Sequence, residues 1–314
     1  MVKQRFFGPG AHGHSDKSRR KGAGRPVVAA APGVAKAGAV RHAEKPLPRT
    51  EEAPRHSSRA PAPAHRGPRP PRSYPAASPD VALIYGFHAV REALRSAARK
   101  KLRLVATAAA AEKLTAEIAA SGLAPEIVAL EEIARRLPND AVHQGLLLEA
   151  RPLEPIDIAD LPADGLVLVL DQITDPHNVG AILRTAAAFG VDALVTTERH
   201  SPAFSGVLAK SASGGLEHVA LVSVVNLARA LEELGDRDYL RVGLDSNGPV
   251  VFEEAVLRRP LALVLGAEGK GLRRLSRDNC DILARLDLPG KVKSLNVSNA
   301  CAVALTIARM KLAR

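Results

Sequence analysis

Five aliphatic residues in a row, LVLVL at positions 166–170, leave this part of the chain few choices. A run with no polar alternation suits a strand covered on both faces, the kind found inside parallel sheets. Similar runs recur at 193–196, 220–224, 240–243 and 261–265, with helical stretches between them at 181–189, 204–211 and 227–234. Strands alternating with helices predict a parallel α/β sheet that binds ligands at the carboxyl ends of its strands. A last apolar strand end at 282–286 runs through Pro289, Gly290 and Lys291 into SLNVS at 294–298 and a helix over 296–312. Where a strand feeds a helix, unpaired N–H groups can bind a ligand. Ser294, Asn296 and Ser298 are equally able to act as ordinary helix caps.

The preceding segment is built differently. VALIY at 81–85 reads as a strand, and YGFHAV opens a helix. A strand at 101–107, an Ala-rich helix at 108–121, a strand at 126–130, a short helix at 131–137 and a strand at 141–149 complete a second, smaller α/β unit. His88 and His143 lie beside apolar elements, where a histidine most often makes a structural hydrogen bond. RPLEPIDIADLP reads as a linker. The expected organisation is a tail over 1–79, a small module over 80–150, a linker over 151–163 and a larger domain over 164–314.

The net charge of +11 comes from the tail. Residues 1–79 hold 16 Lys+Arg, 4 Asp+Glu and 13 of the 23 prolines. Such a composition predicts disorder, because too little apolar surface is available to offset the ordering entropy. A basic tail of this kind binds polyanions without sequence preference. Aromatics are only 3% of the chain and Trp is absent, which argues against base stacking as the main mode of recognition. Cys280 and Cys301 make neither a disulfide framework nor a metal pattern and fit a reducing cytoplasm. No apolar run reaches membrane-spanning length and no secretory signal is visible.

Three stretches carry the chemistry. In LDQITDPHNVGAILRTAAAFG, 170–190, the residues Asp175, Pro176 and Asn178 predict a turn after the strand. Gly180 admits a close backbone neighbour, and Arg184 is placed near the start of the following helix. In LVLGAEGKGL, 263–272, Gly266, Gly269 and Gly271 suggest a phosphate loop, but the GxxxxGK[ST] spacing is missing. Glu268 would repel a phosphate, so the loop suits a neutral or cationic ligand, or holds another site residue. A dinucleotide-binding dehydrogenase is disfavoured because no GxGxxG follows 166–170. The third stretch is 286–308. KSASGGLEH at 210–218 adds Ser213 and Gly214 as weaker candidates to line a site.

In this order the three stretches resemble the SpoU (TrmH-type) branch of the SPOUT RNA methyltransferases. YGFHAV and HQG resemble the substrate-binding domain of the 23S rRNA guanosine-2'-O-methyltransferases. The resemblance implies a C-terminal segment threaded as a trefoil knot, a rare exception among folds. It implies S-adenosylmethionine as cofactor, a homodimer in the cytoplasm, and no metal or membrane. Asn178, Arg184, Glu268, Ser294 and Asn296 match its catalytic positions; Gly266, Leu286 and Leu295 match its cofactor contacts. The implied reaction is 2'-O-methylation of RNA, foremost a guanosine of 23S rRNA. A tRNA ribose methyltransferase and a non-catalytic RNA-binding assembly factor are the alternatives. Two departures stand out. Leu286-Asp287-Leu288 replaces the usual Ile-Pro-Met, and Asn299 takes a place usually apolar. The family's usual proposal makes Arg184 the base; a charged arginine that stabilises the developing alkoxide is the other reading.

Overall fold

The computed structural model describes residues 80–199 and 205–313. The expected basic tail lies outside the described residues. The first sheet contains β1 (Ala82–Tyr85), β2 (Lys101–Ala106), β3 (Pro125–Ile127) and β4 (Leu146–Ala150) in the order β1-β4-β2-β3. β4 runs antiparallel to β1 and β2, and β3 parallel to β2. Leu146, Leu147 and Leu148 are fully buried, so this central strand is covered on both faces. The helices are α1 (Phe87–Arg95), α2 (Ala108–Glu112), α3 (Thr115–Ser121) and α4 (Leu130–Ala134). Helix α1 turns Ala89, Val90, Ala93 and Leu94 inward, the spacing of a one-sided helix.

Two expectations change here. The single helix over 108–121 is two helices, because Leu114 swings into the core and is fully buried. The strand over 141–149 begins only at Leu146, since Gln144 and Gly145 take φ of 53° and 77° and form a turn. His143 makes the local bond expected of it, accepting from Gly145 N at 3.3 Å. His88 is exposed, lies edge-on to Phe87, and makes no hydrogen bond among the described residues.

The second sheet is parallel throughout, in the order β7-β6-β5-β10-β8-β11-β9. Its strands are β5 (Leu166–Asp171), β6 (Ala193–Thr197), β7 (Ala220–Val224), β8 (Leu240–Leu244), β9 (Val250–Val251), β10 (Leu261–Gly266) and β11 (Ile282–Arg285). The helices are α5 (Pro176–Ala188), α6 (Gly206–Ala212), α7 (Leu227–Asp236), α8 (Arg274–Asp278) and α9 (Val297–Leu312). The apolar run of β5 now has its physical reason. Leu166, Leu168 and Leu170 share a core with α5, α6 and α9, while Val167 and Val169 pack against α7. Each buried leucine contributes about 2 kcal/mol. Both faces of β5 are therefore occupied, and no polar position could alternate.

Helix α5 starts five residues earlier than expected. Asp175 caps it by accepting from His177 N at 3.0 Å, and Pro176 fills the first helical position, where a missing N–H is harmless. Asn178 thus sits in the first turn, and Arg184 in the second half of the helix rather than near its start. The stretch expected to be a linker is held to the protein: Ile156 N donates to Leu221 O at 2.8 Å, and Ile158 and Leu161 are buried. Among the described residues, no helix is long and apolar enough to cross a membrane.

Candidate active site

Strands β8, β10 and β11 end together, and beyond their carboxyl ends lies a cleft of about 300 Å³. Its walls include Leu244, Leu286 and Leu288, with Gly266, Glu268, Ser294 and Leu295 around it. Five of the eight residues singled out from the sequence therefore line one cavity: Gly266, Glu268, Leu286, Ser294 and Leu295.

The loop after β10 is shaped by its glycines. A Cβ on Gly266 would lie 2.2 Å from the carbonyl carbon of Gly271, so this position has no room for a side chain. Gly271 N donates to Ala267 O at 2.8 Å and closes the turn. The far end is tied to β5. Asp171, fully buried, accepts from Arg273 N at 2.9 Å and from Arg273 Nε at 2.6 Å. This tether was not anticipated from the sequence; a carboxylate ending an apolar run was its only visible sign.

The loop presents Glu268, whose Oε1 gathers three donors. Asn178 Nδ2 lies at 3.0 Å, Asn296 Nδ2 at 2.7 Å and Val297 N at 3.3 Å. Asn296 also donates to Asn178 Oδ1 at 2.9 Å. Its own Oδ1 accepts from Ser298 N at 2.9 Å, so Asn296 is the cap of α9 among the three candidates. One side chain thus starts a helix with its oxygen and joins the site with its nitrogen. A carboxylate at the amino end of α9 is also favoured by the helix dipole. Glu268 Oε2 makes no hydrogen bond among the described residues.

Arg184 stands apart from this cluster. It is exposed and makes no hydrogen bond or ion pair among the described residues. Ser213 and Gly214 do not line the cleft; they take φ of 51° and 95° in a turn against α1. Asp287 and Asn299, the two departures, are exposed. A further lining residue was missed. Asp245, 8% exposed, directly follows β8 at the cleft, accepts from Asn247 N at 2.8 Å and pairs with Arg277 at 3.3 Å. Among the described residues, no group of three or more His, Cys, Asp or Glu could hold a metal ion.

This geometry can be set beside known proteins. A model described as the SpoU rRNA Methylase family matches residues 165–306. One described as RNA 2'-O ribose methyltransferase substrate binding matches residues 83–156. The 23S rRNA (guanosine-2'-O-)-methyltransferase of Yersinia pestis is 36% identical over 233 residues, covering 71% of this chain and 94% of its own. The chain belongs to the SpoU rRNA methylase family. The enzyme of the same description from Pasteurella multocida is 37% identical over 242 residues, covering 73% of this chain and 98% of its own. Among solved structures, a putative RNA methyltransferase of the TrmH family from Porphyromonas gingivalis aligns with a TM-score of 0.62 and 26% identity. That alignment covers 74% of this chain and 90% of the other. The SpoU match takes in the first two motifs and the third as far as residue 306, and the second match takes in YGFHAV and HQG. Both parts of the resemblance drawn from the sequence therefore hold.

Proposed function

We propose that this SpoU protein is an S-adenosylmethionine-dependent 2'-O-ribose methyltransferase whose substrate is a guanosine of 23S rRNA. One observation carries the reading: Glu268 draws Asn178 and Asn296 together at the edge of the cleft, so the three motifs converge on one place. Apolar walls suit a nucleoside, and carboxylates at Asp245 and Glu268 suit a cation, which fits the proposed cofactor. Gly266, Leu286 and Leu295 would hold it. When bound, S-adenosylmethionine supplies a methyl group on a sulfonium. The protein's part is mostly positioning. Asn178, Glu268, Ser294 and Asn296 shape the place where a ribose 2'-oxygen approaches. Arg184, without a hydrogen bond or ion pair among the described residues, is available to stabilise the alkoxide as it forms. A substrate phosphate or a water takes the proton, since a guanidinium keeps its own in proteins.

The small module serves as the RNA holder and the large domain as the methyltransferase. The named rRNA enzymes share both parts over nearly their full length, which favours rRNA over tRNA as substrate. An rRNA substrate and two free thiols, Cys280 and Cys301, favour work in the cytoplasm. The C-terminal segment runs from β11 back to pack α9 against α5, where Arg309 Nε donates to Phe189 O at 2.7 Å; this return path supports the knotted threading. The decisive experiment incubates the purified protein with labelled cofactor and either 23S rRNA or tRNA, without added metal. Label in the ribose of a 23S guanosine is expected. No cofactor binding by calorimetry and no label in either RNA would leave a binding factor instead.

The protein is also proposed to act as a homodimer through α9. Val303 and Met310 on that helix are 40% and 61% exposed, and Leu295 just before it is 39% exposed. A closed dimer would cover these apolar residues. Sedimentation at micromolar concentration should give twice the chain mass. A fully active monomer would exclude this arrangement.

A further inference from the structure

Helix α6 and the turn after it lie between the small sheet and the large one. A Cβ on Gly206 would lie 2.4 Å from the Tyr85 ring and 2.7 Å from Leu83 O, so α6 rests directly on β1. Lys210 Nζ donates to Gln144 Oε1 at 2.9 Å, an oxygen that also accepts from Phe87 N at 2.9 Å. Burial lowers the pKa of this lysine. Eleven residues beyond Gly206, Glu217 meets Arg99 of the small module. The two side chains are 3% and 4% exposed, and the shortest contact is 2.6 Å. Arg99 Nε reaches both carboxylate oxygens, at 3.1 and 3.2 Å, and its Nη1 donates to Arg151 O at 3.0 Å. The same turn bears on the other side against α5. A Cβ on Gly215 would lie 2.7 Å from Leu183 O and 3.0 Å from Arg184 N.

A buried ion pair is weak support for stability, but losing one member strands a charge in the interior. Such a pair therefore selects one arrangement of the surfaces it joins. Here those surfaces are the small module and the backbone that carries Arg184. We propose that Arg99 and Glu217 are positioning residues for methyl transfer: their ion pair seats the small module on the α6 turn and so fixes where its RNA lies relative to Arg184. This rests on the methyltransferase reading above. A module that only swung on its connection would have to find the reactive orientation at each turnover, whereas a seated one has it beforehand.

The test uses the full chain and four variants: Glu217→Gln, Arg99→Met, the double variant Arg99→Met with Glu217→Leu, and Gly206→Leu. Each is measured for amide hydrogen exchange across α6 and β1, for affinity to S-adenosylmethionine and to a 23S rRNA fragment, and for single-turnover rate at saturating RNA. The two single charge variants should exchange faster across α6 and β1 and lose on the order of 30- to 100-fold in rate. Both affinities should stay within about twofold of wild type, since neither site is altered. The double variant should regain slow exchange and most of the rate, because apolar replacement of a buried pair is tolerated where half a pair is not. Gly206→Leu should unseat the module by steric conflict with both charged residues retained, and lose rate likewise. An unseated variant with wild-type rate, a rate loss in a seated variant, or a double variant that stays slow would each overturn the proposal. A wild-type protein that methylates no RNA would defeat the parent reading, while the exchange data would still report whether the pair seats the module.

Discussion

Replacing Glu268 with alanine is expected to lower the single-turnover methylation rate by about 100- to 1,000-fold, the scale of losing a preorganised polar group at a reacting centre. Its Oε1 is the shared acceptor for Asn178, Asn296 and Val297 N, which lie on α5 and at the start of α9. Alanine removes that acceptor, and the two amides must then find water or each other. Asn296 keeps its bond to Asn178 Oδ1, so the cluster loosens rather than disperses. Asp171 still holds the far end of the loop through Arg273, so the fold should survive with little change in Tm. Glu268→Gln keeps one carbonyl acceptor and loses the charge, and should fall between the two, about tenfold below wild type. Rates at saturating RNA and cofactor, with thermal unfolding alongside, decide the matter. An alanine variant at wild-type rate would remove Glu268 from the site.

Arg184→Lys should cost about 2–3 kcal/mol of transition-state stabilisation, near 100-fold in rate. Arg184 is exposed and makes no hydrogen bond or ion pair among the described residues, so the change breaks none of these. What it removes is the planar fork of donors, which a single ammonium cannot reproduce. Lysine also gives up its proton far more readily than arginine. If residue 184 must act as a base, the lysine variant should therefore gain rate with rising pH and approach wild type. If it must grip an alkoxide and a phosphate together, the rate should stay low at every pH. Cofactor affinity should be unchanged in both cases, because Arg184 does not line the cleft. A large loss of affinity would mean that the residue reaches a part of the site it is not assigned to here.

The parallel sheet could be read from the sequence because β5 is buried on both faces, and double burial leaves an unbroken aliphatic run. The start of α5 was misplaced because Asp175-Pro176 serves equally as a turn and as a cap with proline at the first helical position. Only the packing of Val179 and Ile182 into the core shows that the helix has already begun there. Ser294, Asn296 and Ser298 are equivalent as caps in the sequence; the structure makes Asn296 the cap, through Ser298 N, and brings its amide nitrogen to Glu268. Such meetings cannot be seen locally: Asn178 and Glu268 are 90 residues apart, and Asp171 and Arg273 are 102 apart. The position of Arg184 was misjudged with α5, since counting from a late start puts it a turn too early. The KSASGGLEH segment reads as part of a site because small residues make room for ligands. Here they make room for other parts of the same chain, α1 and the backbone of α5.

The oxygen of Glu268 also sets a timetable. Its donors Asn178 and Asn296 are separated by 118 residues, with Glu268 between them. Synthesis delivers the first donor early, the acceptor much later and the second donor later still. Until Asn296 has emerged and α9 has folded onto α5, the cleft lacks Ser294, Leu295 and the amide that closes its edge. A chain grown only as far as Glu268 thus has no complete cleft, although its small module is already made.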